Sequence, residues 1–190
     1  MISRISSTLY SKLTRSMKLS EAQYAAGLYG MNGAIYTALS TLVLIFFGSL
    51  LGEISSTCVI ISVYYLNQTV GGGFHATTHT KCLMTMLLGL TIGIAILKHC
   101  VWSMMTSITL VSIEFAIMWF VPLVLHKNKL FLQTHSSKLI RKSRICMVGE
   151  IMLFFIMIVN QHELSFAFVV GFTLSTVSRI AGKIINRRNN

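Results

Sequence analysis

Residues 33–52 read GAIYTALSTLVLIFFGSLLG. No charged side chain interrupts this run. A helix rises about 1.5 Å per residue, so the run is long enough to cross the roughly 30 Å core of a bilayer. Its neighbours repeat the pattern, with apolar segments at 54–66, 83–97, 101–125, 145–160 and 164–182. Over the 190 residues, 54% are hydrophobic and 11% charged, and the mean hydropathy is +0.71. A soluble domain carries about 25% charged residues. The chain therefore reads as an all-α, polytopic integral membrane bundle of about six spans, one membrane domain over 1–190 with its spanning part at 33–182.

Charge orients the bundle. Sixteen Lys and Arg stand against five acidic residues, all of them Glu: Glu21, Glu53, Glu114, Glu150 and Glu163. In a soluble protein a net charge of +11 would point to nucleic acid. Here the basic residues are not interleaved with aromatics as single-strand binders require. The excess is instead what cytoplasmic segments of membrane proteins collect, and nucleic acid is not expected as a partner. With six spans and a cytoplasmic N-terminus, the inner segments are 1–32, 67–82, 126–144 and the C-terminal tail. They hold fifteen of the sixteen Lys and Arg, with Arg179 at the inner end of the last span and only Lys98 outside. Both termini and residues 67–82 are thus expected to face the cytoplasm.

The flanking segments fit this reading. In residues 1–24, Ile2, Ile5, Leu9, Leu13 and Met17 recur at helical spacing among Arg4, Lys12, Arg15 and Lys18. That pattern suits an amphipathic helix lying on an anionic membrane surface, and no cleavable signal peptide is visible. The segment 126–144, HKNKLFLQTHSSKLIRKSR, reads as a basic loop. It suits anionic lipid headgroups, or docking of an acidic partner through Lys138, Arg141, Lys142 and Arg144. Pro122 is expected to kink or end the fourth span, and the polar tail 183–190 to fray. Packing in a membrane bundle allows a homodimer.

The chemistry concentrates in residues 71–82, GGGFHATTHTKC. His75 and His79 are four apart, so a helix would set them on one face, with Cys82 three further on. HATTH resembles the zinc-protease pattern H-E-x-x-H, but Ala76 stands where the general-base Glu belongs. A metal-binding or transport site using His75, His79 and Cys82 remains one reading. It would need a further ligand or an open position. A second reading is nucleophilic catalysis, with Cys82 attacking and a histidine moving its proton. Lys81 adds a neighbouring positive charge. Gly72 and Gly73 let the backbone approach a substrate and offer N–H groups to an oxyanion. The plain alternative is a satisfied polar loop. No C-x-x-C pair exists, so Cys58, Cys100 and Cys146 read as small buried hydrophobes. Glu114 lies mid-span, too deep to orient His75. Glu150 is expected to pair with Arg144 or another basic residue, and Asn67 or Gln68 to orient the imidazole.

The run Gly72-Gly73-Phe74-His75-Ala76, with Cys82 seven residues after His75, resembles the accessory gene regulator B family of membrane cysteine endopeptidases. The family's pattern is G-G-x-H-A followed by that cysteine. Length, apolar character and the basic segment are also similar, so the resemblance covers nearly the whole chain. It implies His75 as catalytic base and acid, Cys82 as nucleophile, and no cofactor or metal. It implies a bacterial cell-membrane enzyme of quorum sensing, acting on a small precursor peptide with an acidic C-terminal part. Cys82 would form an acyl-enzyme thioester, and the peptide would close to a thiolactone or lactone. Many members carry arginines before the glycines, where this chain has Asn67, Gln68 and Thr69; Lys81 is a candidate replacement. A non-enzymatic peptide exporter or adaptor is the third reading.

Overall fold

The computed structural model describes residues 2–17, 19–74, 76, 78–121, 123–124, 136–160 and 162–188. His75, Pro122, positions 126–135 of the basic segment and the last two residues of the tail lie outside the described residues. Among those described there are seven α-helices and no strand: α1 Ile2–Leu13, α2 Glu21–Leu50, α3 Ile54–Gly71, α4 His79–His99, α5 Met104–Phe120, α6 Ser136–Asn160 and α7 His162–Arg188. Each of the six apolar segments forms a helix, α2 to α7. Four stretches are long and apolar enough to cross a membrane: Glu21–Leu50, His79–His99, Ser137–Asn160 and Glu163–Ile185. Met104–Phe120 is a shorter apolar helix. The 18-residue α3 ends in a polar turn.

Most helices overrun the apolar segments that announce them, because polar terminal turns still satisfy the backbone. The start of α2 is legible in retrospect. Ser20 Oγ accepts the Gln23 N–H at 3.3 Å, and Gln23 Oε1 accepts the Ser20 N–H at 3.0 Å, the reciprocal capping box. The expected loop 126–144 is corrected from Ser136 onward, where α6 has begun. Lys138, Arg141, Lys142 and Arg144 thus stand on a helix. Helix α7 runs past residue 182 to Arg188, so the described part of the tail is helical.

The described chain forms two compact units, Met1–Phe47 and Gly48–Asn190. In the first, the Ser6 hydroxyl donates to Asn32 Oδ1 and Tyr10 packs edge-on against Tyr24. These contacts join α1 to α2, while Ile5, Leu9 and Leu13 stay exposed, as a helix lying on a membrane surface requires. In the second, α7 is the central post, packed against α3, α4, α5 and α6. Residues 167–172 of α7 are buried throughout. Small residues let the helices close in: a Cβ on Gly93 would lie 2.6 Å from Val170, and one on Gly171 would lie 2.9 Å from the Ile60 carbonyl. Phe154, Phe168 and Phe172 fill the core with Val63, Val111, Met118 and Met147.

The outer faces are apolar too. Leu88 and Ile92 of α4 and Met152, Phe155 and Ile156 of α6 are exposed, which suits lipid and not water. The expectation that Cys58 and Cys100 are buried is corrected: both are exposed. An outward face of a membrane bundle accepts an apolar thiol, because lipid is as apolar as the interior. Cys146 is half-buried.

Candidate active site

The glycine-rich segment is held where α3 ends. Gly72 caps the helix with φ +68°, and its N–H donates to the Gln68 carbonyl at 3.1 Å. A side chain is disfavoured at such a φ, and its Cβ would also meet the Val124 carbonyl oxygen. Val124 closes the turn by donating its N–H to the Gly71 carbonyl at 2.8 Å. The neighbours are as crowded. A Cβ on Gly71 would strike the Arg179 guanidinium, and one on Gly73 would lie 2.6 Å from the Gln68 amide. These glycines are therefore sites of close packing against α7 and Val124, whatever else their backbone does. Next along the chain, the Phe74 N–H donates to the Ser178 carbonyl at 2.9 Å and to Ser178 Oγ at 3.1 Å.

Cys82 stands on the first turn of α4. Thr78 is the N-cap, extended at φ −132° and ψ 151°, and its side chain accepts the Lys81 N–H at 3.3 Å. The Cys82 N–H donates to the Thr78 carbonyl at 3.0 Å. Because Thr78 is extended, α4 starts only at His79. His79 and Cys82 thus share the first turn of α4, while His75, the other histidine of HATTH, lies outside the described residues. Cys82 is half-buried, with the Ala76 backbone near its sulfur. Lys81 and His79 are exposed. Tyr64 lies within electrostatic range of Cys82 and close to Ser178 and Gln68.

Behind the glycines lies a buried polar network. Asn67 Nδ2 donates to Glu150 Oε1 at 2.8 Å, to Glu150 Oε2 at 2.9 Å and to the Val63 carbonyl at 3.1 Å. Asn67 Oδ1 accepts from Arg179 Nη2 at 3.1 Å. Arg179 is 1% exposed, Asn67 2% and Glu150 3%. One neutral amide thus bridges two buried groups of opposite charge on α6 and α7. Asn67 faces this pair, and Gln68 donates to Ser178 Oγ. Glu150 meets Asn67 in place of Arg144, whose guanidinium stacks over Trp119 at 4.7 Å. Lys138, Arg141 and Lys142 remain exposed.

Glu114 accepts from the Thr173 hydroxyl, six residues before Arg179 and about 9 Å along α7. Among the described residues no three His, Cys or acidic side chains gather into a metal-binding group. Arg179, Ser178 and Tyr64 escape a reading of the sequence. One signal was present: Glu150 and Arg179 are opposite charges inside otherwise apolar runs, and such residues seek each other.

These features define a polytopic helical membrane protein with a thiol on the first turn of a helix, beside a tightly packed glycine turn. A family model for accessory gene regulator B matches residues 3–179, and the chain belongs to that family. Its role accordingly lies in the processing of quorum-sensing peptides. No curated protein and no solved structure matches the chain.

Proposed function

We propose that this protein is a membrane-embedded cysteine endopeptidase that cleaves a pheromone precursor and releases it as a ring. The observation that carries the reading is Cys82 on the first turn of α4, seven residues after His75, in a member of a peptide-processing family. Cys82 Sγ attacks the carbonyl carbon of the bond before the acidic C-terminal part. His75 takes the thiol proton and returns it to the leaving amine as the C–N bond breaks. The peptide stays on Cys82 as a thioester. A Cys or Ser of the same peptide then attacks, the bond to Cys82 breaks, and a thiolactone or lactone closes. A site at the membrane edge limits competing hydrolysis. Exposed Lys138, Arg141 and Lys142 offer the charge that an acidic tail would meet. In this reading the catalytic end and both termini face the cytoplasm, as the charge distribution favours.

The test is cleavage of the matched precursor in liposomes, with mass spectrometry of the protein. Cys82→Ser and His75→Ala each abolish cleavage, His79→Ala is far milder, and wild type carries a peptide adduct on Cys82. Normal cleavage by the Cys82→Ser variant would sink the proposal.

A further inference from the structure

We propose that Ser178, on α7, is a positioning residue that sets the place of the catalytic histidine by clamping the residue before it. The inference rests on the endopeptidase reading above and names a part of its machinery. Phe74 immediately precedes His75, and its N–H is taken by Ser178 twice, at the carbonyl (2.9 Å) and at Oγ (3.1 Å). A serine hydroxyl has one proton to give and two lone pairs to receive. Both lone pairs are engaged here. Oγ accepts from Phe74 N and from Gln68 Nε2. One hydroxyl therefore ties the end of α3, the Gly73–Phe74 segment and α7 together.

Two further features make the clamp stiff. Arg179 is the next residue on α7, and its bond to buried Asn67 fixes that helix turn against α3. The two pairings, Gln68–Ser178 and Asn67–Arg179, join consecutive residues on both helices, so α7 cannot rotate under Ser178 without breaking both. One turn further on, Gly182 lets the segment lie directly on α7: a Cβ there would come 2.8 Å from the Gly73 carbonyl carbon and 2.9 Å from Phe74 N. A base must stand within about 3 Å of the heavy atom whose proton it takes, and a misplacement of about 1 Å costs on the order of a hundredfold in rate. Segment placement of this kind belongs to turnover more than to binding.

The experiment reads alkylation of Cys82 by iodoacetamide against pH, in full-length protein in liposomes. Mass spectrometry follows the Cys82 peptide apart from those of Cys58, Cys100 and Cys146. His75→Ala supplies the uncoupled profile. Ser178→Ala is expected to move the wild-type profile toward it, and Ser178→Thr, which keeps the hydroxyl, to move it back. Gly182→Ala pushes on the same segment without removing a polar group, so it is expected to shift the profile in the same sense and stands in if Ser178→Ala does not fold. With the precursor, Ser178→Ala lowers kcat about tenfold and changes KM less than twofold. A Ser178→Ala profile that coincides with wild type overturns the clamp, as does a wild-type profile that coincides with His75→Ala. Failure of wild type to cleave any precursor would sink the endopeptidase reading alone, because the alkylation series still decides whether Ser178 governs the pair.

Discussion

At the end of the Gly48–Asn190 unit that carries Glu53, Lys98 and Ser103, most polar contacts join residues three apart. At the end that carries Asn67, Ser178 and Arg179, they join residues 58 to 112 apart. The first end is made by local closure. Ser103 and Thr106 form a reciprocal capping box, and the Ser56 hydroxyl donates to Glu53 at 2.8 Å. Lys98 adds a longer tie, donating to the Leu51 carbonyl at 2.8 Å and lying 3.8 Å from Glu53. These groups are largely exposed, and water can replace any of them. The second end is buried, so each of its polar groups needs a partner from another helix. That difference separates a place where helices merely turn from a place where side chains distant in sequence are held together.

The sharpest way to break the comparison is Arg179→Leu. It leaves Glu150 buried with only Asn67, and such a loss costs about 3–5 kcal/mol. Unfolding in mild detergent measures it, and a loss below about 1 kcal/mol would mean that the network holds nothing together. Glycines come next, because each end has one at positive φ. Gly72 (φ +68°) is pressed by Val124, whereas Gly52 (φ +73°) has open space around it. Gly72→Ala is expected to cost about 2–4 kcal/mol, from backbone strain and overpacking together, and Gly52→Ala about 1 kcal/mol from strain alone. Equal losses at the two sites would erase the contrast.

Charge at the chemical end is the next lever. Replacing Lys138, Arg141 and Lys142 together by Gln is expected to raise KM for the precursor about tenfold, roughly 1.4 kcal/mol, and to flatten its salt dependence. Arg144→Gln belongs to a different class. It loses the stack on Trp119, so melting temperature moves and KM does not. The smallest effect is at the far end. Lys98→Met removes an exposed ion pair and should change stability by at most about 0.5 kcal/mol, fading as salt is added.

What was legible follows the same division. The apolar runs announced the six helices α2 to α7, and the spacing of Ile5, Leu9 and Leu13 announced α1. The capping residues Ser20, Thr78 and Ser103 were readable in principle, since a cap acts within one turn. Gly72, Gly73 and Cys82 stood out by residue type and spacing. Asn67 and Gln68 were expected to orient the imidazole, but their contacts with Glu150, Arg179 and Ser178 were not foreseen. Their partners lie 83 to 112 residues away on α6 and α7, and no local pattern carries that distance. Arg144 shows the limit from the other side: within a basic run it reads like Lys142, and only the fold sets it over Trp119.

By itself the sequence determined a helical membrane protein, its spans to within a few turns, the G-G-x-H-A motif and its cysteine. Each of these depends on hydropathy, period or covalent order, which the chain carries locally. Only the tertiary structure decided that α7 is the central post, that Ser178 and Arg179 meet Gln68 and Asn67 side by side, and that Gly71 and Gly73 leave room for side chains of α7 and Gly72 for Val124. Those facts arise because buried polar groups must find partners and packed helices must find room, and neither demand is met by neighbours in sequence.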